Sequence, residues 1–169
     1  MNIKKIILIT LVILLSASLL SAAYYKKTVK RNTTLSFVKG DKFLTPQIGL
    51  YSGVIPFGAS LEYAMTENIG IGATLMAWFG SGYSVFMPSV EAAYHFTMLE
   101  VDKLDLFAGV GVGFAIAGSG GYTSGISINP FVAVRYWFSE KLGVSFRSNI
   151  GLIGDWTGVF SMLGVVLKI

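Results

Sequence analysis

Few residues of this chain could carry out acid–base or nucleophilic chemistry, because charged residues make up only 13% of its 169 positions and cysteine is absent. Glu62, Glu91, Arg135 and Arg147 stand apart, since each lies in a stretch where large apolar residues alternate with small ones. Their charges sum to zero, and an unpaired buried charge is very costly. We therefore expect a belt of ion pairs that either fills a closed interior or lines a narrow path for ions.

The single histidine, His95, falls in the same alternating phase as Glu91. Imidazole titrates near neutral pH, so His95 is a candidate pH-sensitive residue that titrates with Glu91 or caps the belt. No further histidine is present to act as a base at the opposite ends of the strands. We predict no enzymatic activity, no metal site and no cofactor.

The elements that position these residues are predicted to be β-strands. Large apolar residues fall on one face of residues 104–117, while glycine and alanine dominate the other. A period of two is typical of a strand and would scatter these residues around a helix. The same alternation recurs at 57–65, 69–79, 126–138, 142–152 and 157–169, with two less regular strands at about 43–54 and 84–97.

The predicted number of strands, eight, is even, as it is in the single-chain outer-membrane barrels of bacteria. The small face suits the crowded interior of a narrow barrel, and the large aliphatic face suits lipid. We predict an all-β, eight-stranded, antiparallel, up-and-down transmembrane β-barrel over residues 43–169. A soluble barrel of the lipocalin type, with its apolar face inside, is the alternative.

The first 23 residues are typical of a cleaved secretory signal peptide. Lys4 and Lys5 precede an apolar run, and the small residues 21–23 end it. An uncleaved anchor is the alternative, although the run is short for a helix that spans a bilayer. Export through this segment predicts the outer membrane of a diderm bacterium as the location.

Residues 24–42 form a basic periplasmic arm, because six of them are Lys or Arg and only Asp41 is acidic. The arm could contact anionic components of the envelope or remain a solvated tail. From residue 43 onward the net charge is −3, from five basic and eight acidic residues. An exported chain with an acidic body is not expected to bind nucleic acid.

Aromatic residues gather at both ends of the predicted strands, as in the interfacial girdles of membrane barrels. Three prolines, Pro46, Pro88 and Pro130, are expected near strand ends, where a missing N–H costs least. The predicted interface aromatics are Tyr63, Phe96, Tyr136 and Phe138 at the periplasmic rim, and Phe57, Phe79 and Trp156 at the outer rim.

Three stretches resemble the strand–turn–strand units of the small outer-membrane β-barrel proteins of the OmpX, OmpW and OmpA types. They are LEYAMTENIGIGATLMAWFG (61–80), PFVAVRYWFSEKLGVSFRSNIG (130–151) and the closing GVVLKI. The resemblance covers about 43–169 and implies insertion into outer-membrane lipid by the barrel-assembly machinery. One departure is Ile169, since the family usually ends in an aromatic residue.

The composition and the resemblance predict a structural or envelope-maintaining role, with an interior plugged by side chains. A narrow channel for ions or small apolar solutes is the first alternative. A surface module for binding or adhesion is the second, although the outer loops are short and poor in charge.

Overall fold

Strands form where the sequence alternates, because successive side chains of a strand point to opposite faces. The computed structural model describes residues 37–80, 82–99, 103–118, 124–152 and 157–169. The predicted signal peptide and most of the predicted arm lie outside these residues. The strands are β1 (Lys42–Leu50), β2 (Phe57–Ala64), β3 (Ile69–Gly80), β4 (Tyr83–His95), β5 (Leu104–Ala117), β6 (Gly125–Trp137), β7 (Leu142–Gly151) and β8 (Gly158–Lys168).

The eight strands close into a barrel in sequence order. Each strand pairs antiparallel with the next, and β8 pairs antiparallel with β1. The predicted fold class is therefore confirmed. A short 3₁₀ turn, Thr97–Leu99, lies between β4 and β5. Within the described ranges, no helix is long and apolar enough to cross a membrane.

The two ends of the barrel are named here by the chain. The proximal end is where β1 begins and β8 ends, and the distal end is opposite. The distal connection between β1 and β2 is tight, because Tyr51 and Val54 pair across a two-residue turn. Both central residues have positive φ, 44° at Ser52 and 83° at Gly53, which matches the right-handed twist of a hairpin.

The outer surface of the barrel carries the large apolar residues, as the alternation predicts. At mid-strand, Val90 is 66% exposed and Val132 is 59% exposed. Their neighbours in sequence point inward, and Ala133 is buried. A closed barrel with an outer surface of aliphatic residues is suited to an apolar surrounding.

Three groups of buried apolar residues lie in the interior. Phe37, Phe43 and Trp137 belong to the proximal group. Phe107 and Phe131 lie in the middle group. The distal group consists of Met76, Trp78, Val85, Met87, Ala115, Phe160 and Met162.

The expectation that the prolines lie near strand ends is wrong. Pro46 lies in the middle of β1, Pro88 within β4 and Pro130 within β6. Each coincides with a break or an end in one ladder: the β1–β8 pairs skip Pro46, the β4–β5 pairs skip Pro88, and the β6–β7 pairs end beside Pro130. Each proline therefore costs one ladder locally, while pairing on the other side of its strand continues through it.

Candidate functional site

The charged residues of the interior come from five different strands. Glu62 lies on β2, Glu91 on β4, Asp105 on β5, Arg135 on β6 and Arg147 on β7. Each takes the inward phase of its strand, and Asp105, Arg135 and Arg147 are buried. Ion pairs across the interior are what such burial requires.

The first set of contacts is the acid–histidine cluster, which consists of Glu62, His95, Asp105 and Arg135. Arg135 Nη2 donates to Glu62 Oε2 at 2.7 Å, and Nη1 donates to Asp105 Oδ2 at 3.2 Å. Asp105 and Arg135 are directly opposite on the neighbouring strands β5 and β6. The guanidinium therefore bridges two carboxylates that come from opposite sides of the interior.

The His95 ring lies between the same two carboxylates. Nε2 is 2.8 Å from Glu62 Oε1, and Nδ1 is 2.9 Å from Asp105 Oδ1. An ionised carboxylate only accepts hydrogen bonds, and a neutral imidazole has only one N–H. When both carboxylates are ionised, two such bonds require a ring that is protonated on both nitrogens. With that proton, the charges of this cluster sum to zero.

The second set of contacts is the Glu91–Arg147 pair. Arg147 donates from Nη1 and Nη2 to the two Glu91 oxygens, each at 2.7 Å. Its Nε donates to Asn149 Oδ1 at 2.7 Å. The guanidinium carbon also lies 3.6 Å from the centroid of the Phe131 ring. This geometry is the bidentate form that makes an Arg–carboxylate pair strong and directional.

The structure brings the four predicted belt residues into the interior and divides them between the two sets. Glu62 contacts Arg135, and Glu91 contacts Arg147. His95 does not face Glu91, the first of its two expected roles, because its ring nitrogens contact Glu62 and Asp105. The two side chains share an alternating phase on β4, but the ring reaches β2 and β5 across the interior.

Sequence reasoning missed two members of the site. Asp105 has the inward phase of β5, and this phase was the available signal. Phe37 lies in the predicted basic arm, where nothing in the alternation marks it. It is fully buried, and its ring stacks on His95 with centroids 3.6 Å apart.

Phe37 is held by a turn at the proximal end, residues 37–41, called the Phe37 turn. Val38 N donates to Asp41 Oδ2 at 3.0 Å, and Gly40 N donates to Ala64 O at 2.8 Å. Gly40 has a φ of 94°, which favours glycine. Lys168 Nζ contacts Asp41 Oδ2 at 2.6 Å. The turn thus places an aromatic ring over the proximal mouth.

Little open space remains among these groups. A cavity of about 30 Å³ lies between the two sets of contacts and is bordered by Glu62, Glu91, Arg135 and Arg147. That volume holds one or two water molecules. Farther toward the distal end the interior is uncharged, because residues 68–90 and 106–134 contain no charged side chain. It includes buried polar residues such as Ser127 and Asn129.

In the part of the chain that the structure describes, no group of three His, Asp or Glu side chains could hold a metal ion. The nearest approach is the acid–histidine cluster. Its carboxylate oxygens already accept hydrogen bonds from Arg135 and His95. A divalent cation there would have to displace the guanidinium.

The predicted interface aromatics that the structure describes lie at the strand ends. Phe57 and Phe79 pack together at the distal end, with centroids 5.8 Å apart. At the proximal end, Tyr136 and Phe138 are 5.5 Å apart. Tyr63 is exposed there as well. The remaining two are Phe96, which packs on Tyr94, and Trp156, which lies outside the described residues.

The glycine at position 70 makes room for the acid–histidine cluster. A Cβ there would lie 2.3 Å from Glu62 Oε1. We expect Gly70→Ala to displace that carboxylate and to lower the free energy of unfolding by about 1–3 kcal/mol, as overpacking does. Urea unfolding in lipid vesicles measures this. Gly125→Ala is the matched control, because nothing lies within 4 Å of its Cβ position; equal losses in both variants would contradict the assignment.

The structure is similar to known protein structures, although the sequence matches no known family. No protein-family model and no curated protein matches the sequence. Among solved structures, the N-terminal β-barrel domain of Pseudomonas aeruginosa OprF aligns with a TM-score of 0.60 at 17% identity, over 78% of this chain and 98% of that one. The outer membrane protein OprG of the same organism aligns with a TM-score of 0.59 at 9% identity, over 82% and 99%.

A third similar structure is the Yersinia pestis outer membrane protein Ail, with a TM-score of 0.55 at 9% identity, over 78% of this chain and all of that one. At these identities the likeness shows the fold and does not extend to a shared activity. The strand number, the closed order and the outward aliphatic face agree with it. The chain therefore has the fold of the small eight-stranded outer-membrane β-barrel proteins.

Proposed function

We propose that this protein is an integral outer-membrane barrel with a structural, envelope-maintaining role. The observation that supports the proposal is that side chains lie in the interior at several levels along the barrel. Two sets of ion pairs occupy its middle and proximal part, and a Met- and Trp-rich group occupies its distal part. An eight-stranded barrel has room for little beyond its own side chains.

Location in the outer membrane is supported by the outward aliphatic face and by the fold. The proximal end then faces the periplasm, because the chain enters β1 there after the predicted export signal. The distal connections face outside. They are short, and they contain a single charged residue, Asp155. Short loops with little charge give this chain a small surface for binding a partner, which favours the structural role over adhesion.

A catalytic role is not part of the proposal. His95 is the only histidine in the sequence, and it is fully buried. Both of its ring nitrogens are engaged by carboxylates, and its two faces are covered by Phe37 and Phe107. A general base must reach the proton that it abstracts, and this ring has no free edge for a substrate.

The proposal is tested by conductance across a planar lipid bilayer. We expect the purified protein to give no discrete current steps under conditions where a porin control conducts. Insertion is checked on the same preparation by the difference in gel mobility between unboiled and boiled samples. Discrete steps from inserted protein would overturn the closed interior and favour the narrow channel for ions or small apolar solutes.

A further inference from the structure

We propose that protonation of His95 controls whether the Phe37 turn stays seated in the proximal mouth of the barrel. This inference goes beyond the closed interior proposed above, and it has a separate readout. It begins from the stacking of three rings. His95 lies between Phe37 and Phe107, with centroid distances of 3.6 and 4.6 Å and interplanar angles of 10° and 14°.

The edges of the His95 ring determine its charge. Among the described residues, the charged groups that contact or adjoin the ring are Glu62 from β2, Asp105 from β5 and Arg135 from β6. The elements at the proximal mouth, β1 and the Phe37 turn, contribute Phe43 and Phe37, which carry no charge. Two carboxylates and one guanidinium leave one negative charge, which a protonated His95 neutralises.

Loss of the proton would break this arrangement. One of the two ring nitrogens would then present a lone pair to a carboxylate oxygen, where a donor is required. The interior offers little water to solvate either group, so the mismatch is costly. The ring is then expected to leave its place between the two carboxylates, and Phe37 loses the ring on which it stacks.

The Phe37 turn is the element able to move in response. It is a five-residue segment that precedes β1, and an ion pair joins its Asp41 to Lys168. Two backbone hydrogen bonds, Gly40 N to Ala64 O and Ala64 N to Asp41 O, join its last two residues to the end of β2, while Phe37 itself lies beyond them. The β-strands, in contrast, each pair with a neighbour on both sides around the closed barrel. A change in charge at His95 therefore acts on Phe37 before it acts on the barrel wall.

Trp137 provides the readout, because it belongs to the same buried group as Phe37 and is 1% exposed. The sequence has three tryptophans, so Trp78→Phe with Trp156→Phe leaves Trp137 alone. Quenching of its fluorescence by acrylamide is measured in lipid vesicles between about pH 5 and about pH 9. We expect quenching to be low at the acidic end and to rise severalfold as His95 loses its proton.

Two variants separate the proposed mechanism from a general effect of pH. In Asp105→Asn, the amide can donate to the neutral ring and still accept from Arg135, so quenching is expected to stay low throughout. The same low quenching is expected for Glu62→Gln, whose amide can donate to the other ring nitrogen, Nε2. Glu140→Gln is the matched control, since Glu140 is exposed in the turn at the same end, and it is expected to keep the full rise.

Heat-dependent gel mobility shows whether each variant has folded. If either Asp105→Asn or Glu62→Gln does not fold, the other still tests the proposal. A parent protein whose quenching does not change with pH would overturn the proposal. So would folded Asp105→Asn and Glu62→Gln variants that keep the rise, or that are strongly quenched at every pH.

Discussion

Replacing Arg147 with alanine is expected to lower the free energy of unfolding of the barrel by about 3–5 kcal/mol, because it leaves the Glu91 carboxylate buried without its partner. The native pair has two hydrogen bonds of 2.7 Å, and both side chains are about nine-tenths buried. The substitution also removes the guanidinium from the face of Phe131. Urea unfolding in lipid vesicles, followed by tryptophan fluorescence, measures the loss.

The control for this prediction removes both charges together. Glu91→Met with Arg147→Met fills the space with apolar side chains and leaves no charge unpaired, so it is expected to lose much less stability than Arg147→Ala. The interpretation fails if Arg147→Ala loses less than about 1 kcal/mol, the range of exposed ion pairs. It also fails if the double variant is no more stable than Arg147→Ala.

Placing an arginine on the outer surface at mid-strand is expected to cost about 2–4 kcal/mol, the usual penalty for a basic residue at the bilayer midplane of a membrane barrel. Val132→Arg tests this, because Val132 lies near the middle of β6 and is 59% exposed. On a soluble barrel the same substitution would place a charge in water at little cost. Urea unfolding in lipid vesicles again measures the loss in the free energy of unfolding.

A second arginine at a different depth is the matched control. Leu142 is the first residue of β7, at the proximal end, and is exposed. Leu142→Arg is expected to cost about 0–1 kcal/mol, because charges near the interface reach water. Equal costs at the two depths would contradict the assignment of the outer surface to lipid.

The fold could be predicted from the sequence because one local property decides it. A period of two assigns each side chain to a face, and burial of one face fixes the register. Phe107 and Phe131 therefore point inward, and Val90 and Val132 outward, as the alternation requires. The strand bounds were predicted less accurately, since β1 ends at Leu50 and the predicted strand extended to about residue 54.

The partners within the interior could not be predicted in the same way. Alternation shows that Glu62, Glu91 and His95 face inward, but the residues that meet there depend on how neighbouring strands are staggered. His95 reaches Glu62 on β2, two strands away. Phe37 escaped prediction for another reason, because its position depends on a turn and not on a periodic pattern.

The most direct test of the central claim, a closed β-barrel in the outer membrane, is gel mobility of the protein extracted from a purified outer-membrane fraction. Unboiled and boiled samples are compared side by side. The account predicts that the protein is in this fraction and that its mobility shifts on boiling, because a closed barrel resists detergent until heated. Recovery in the soluble periplasmic fraction, or an unchanged mobility, would contradict it and favour a soluble barrel.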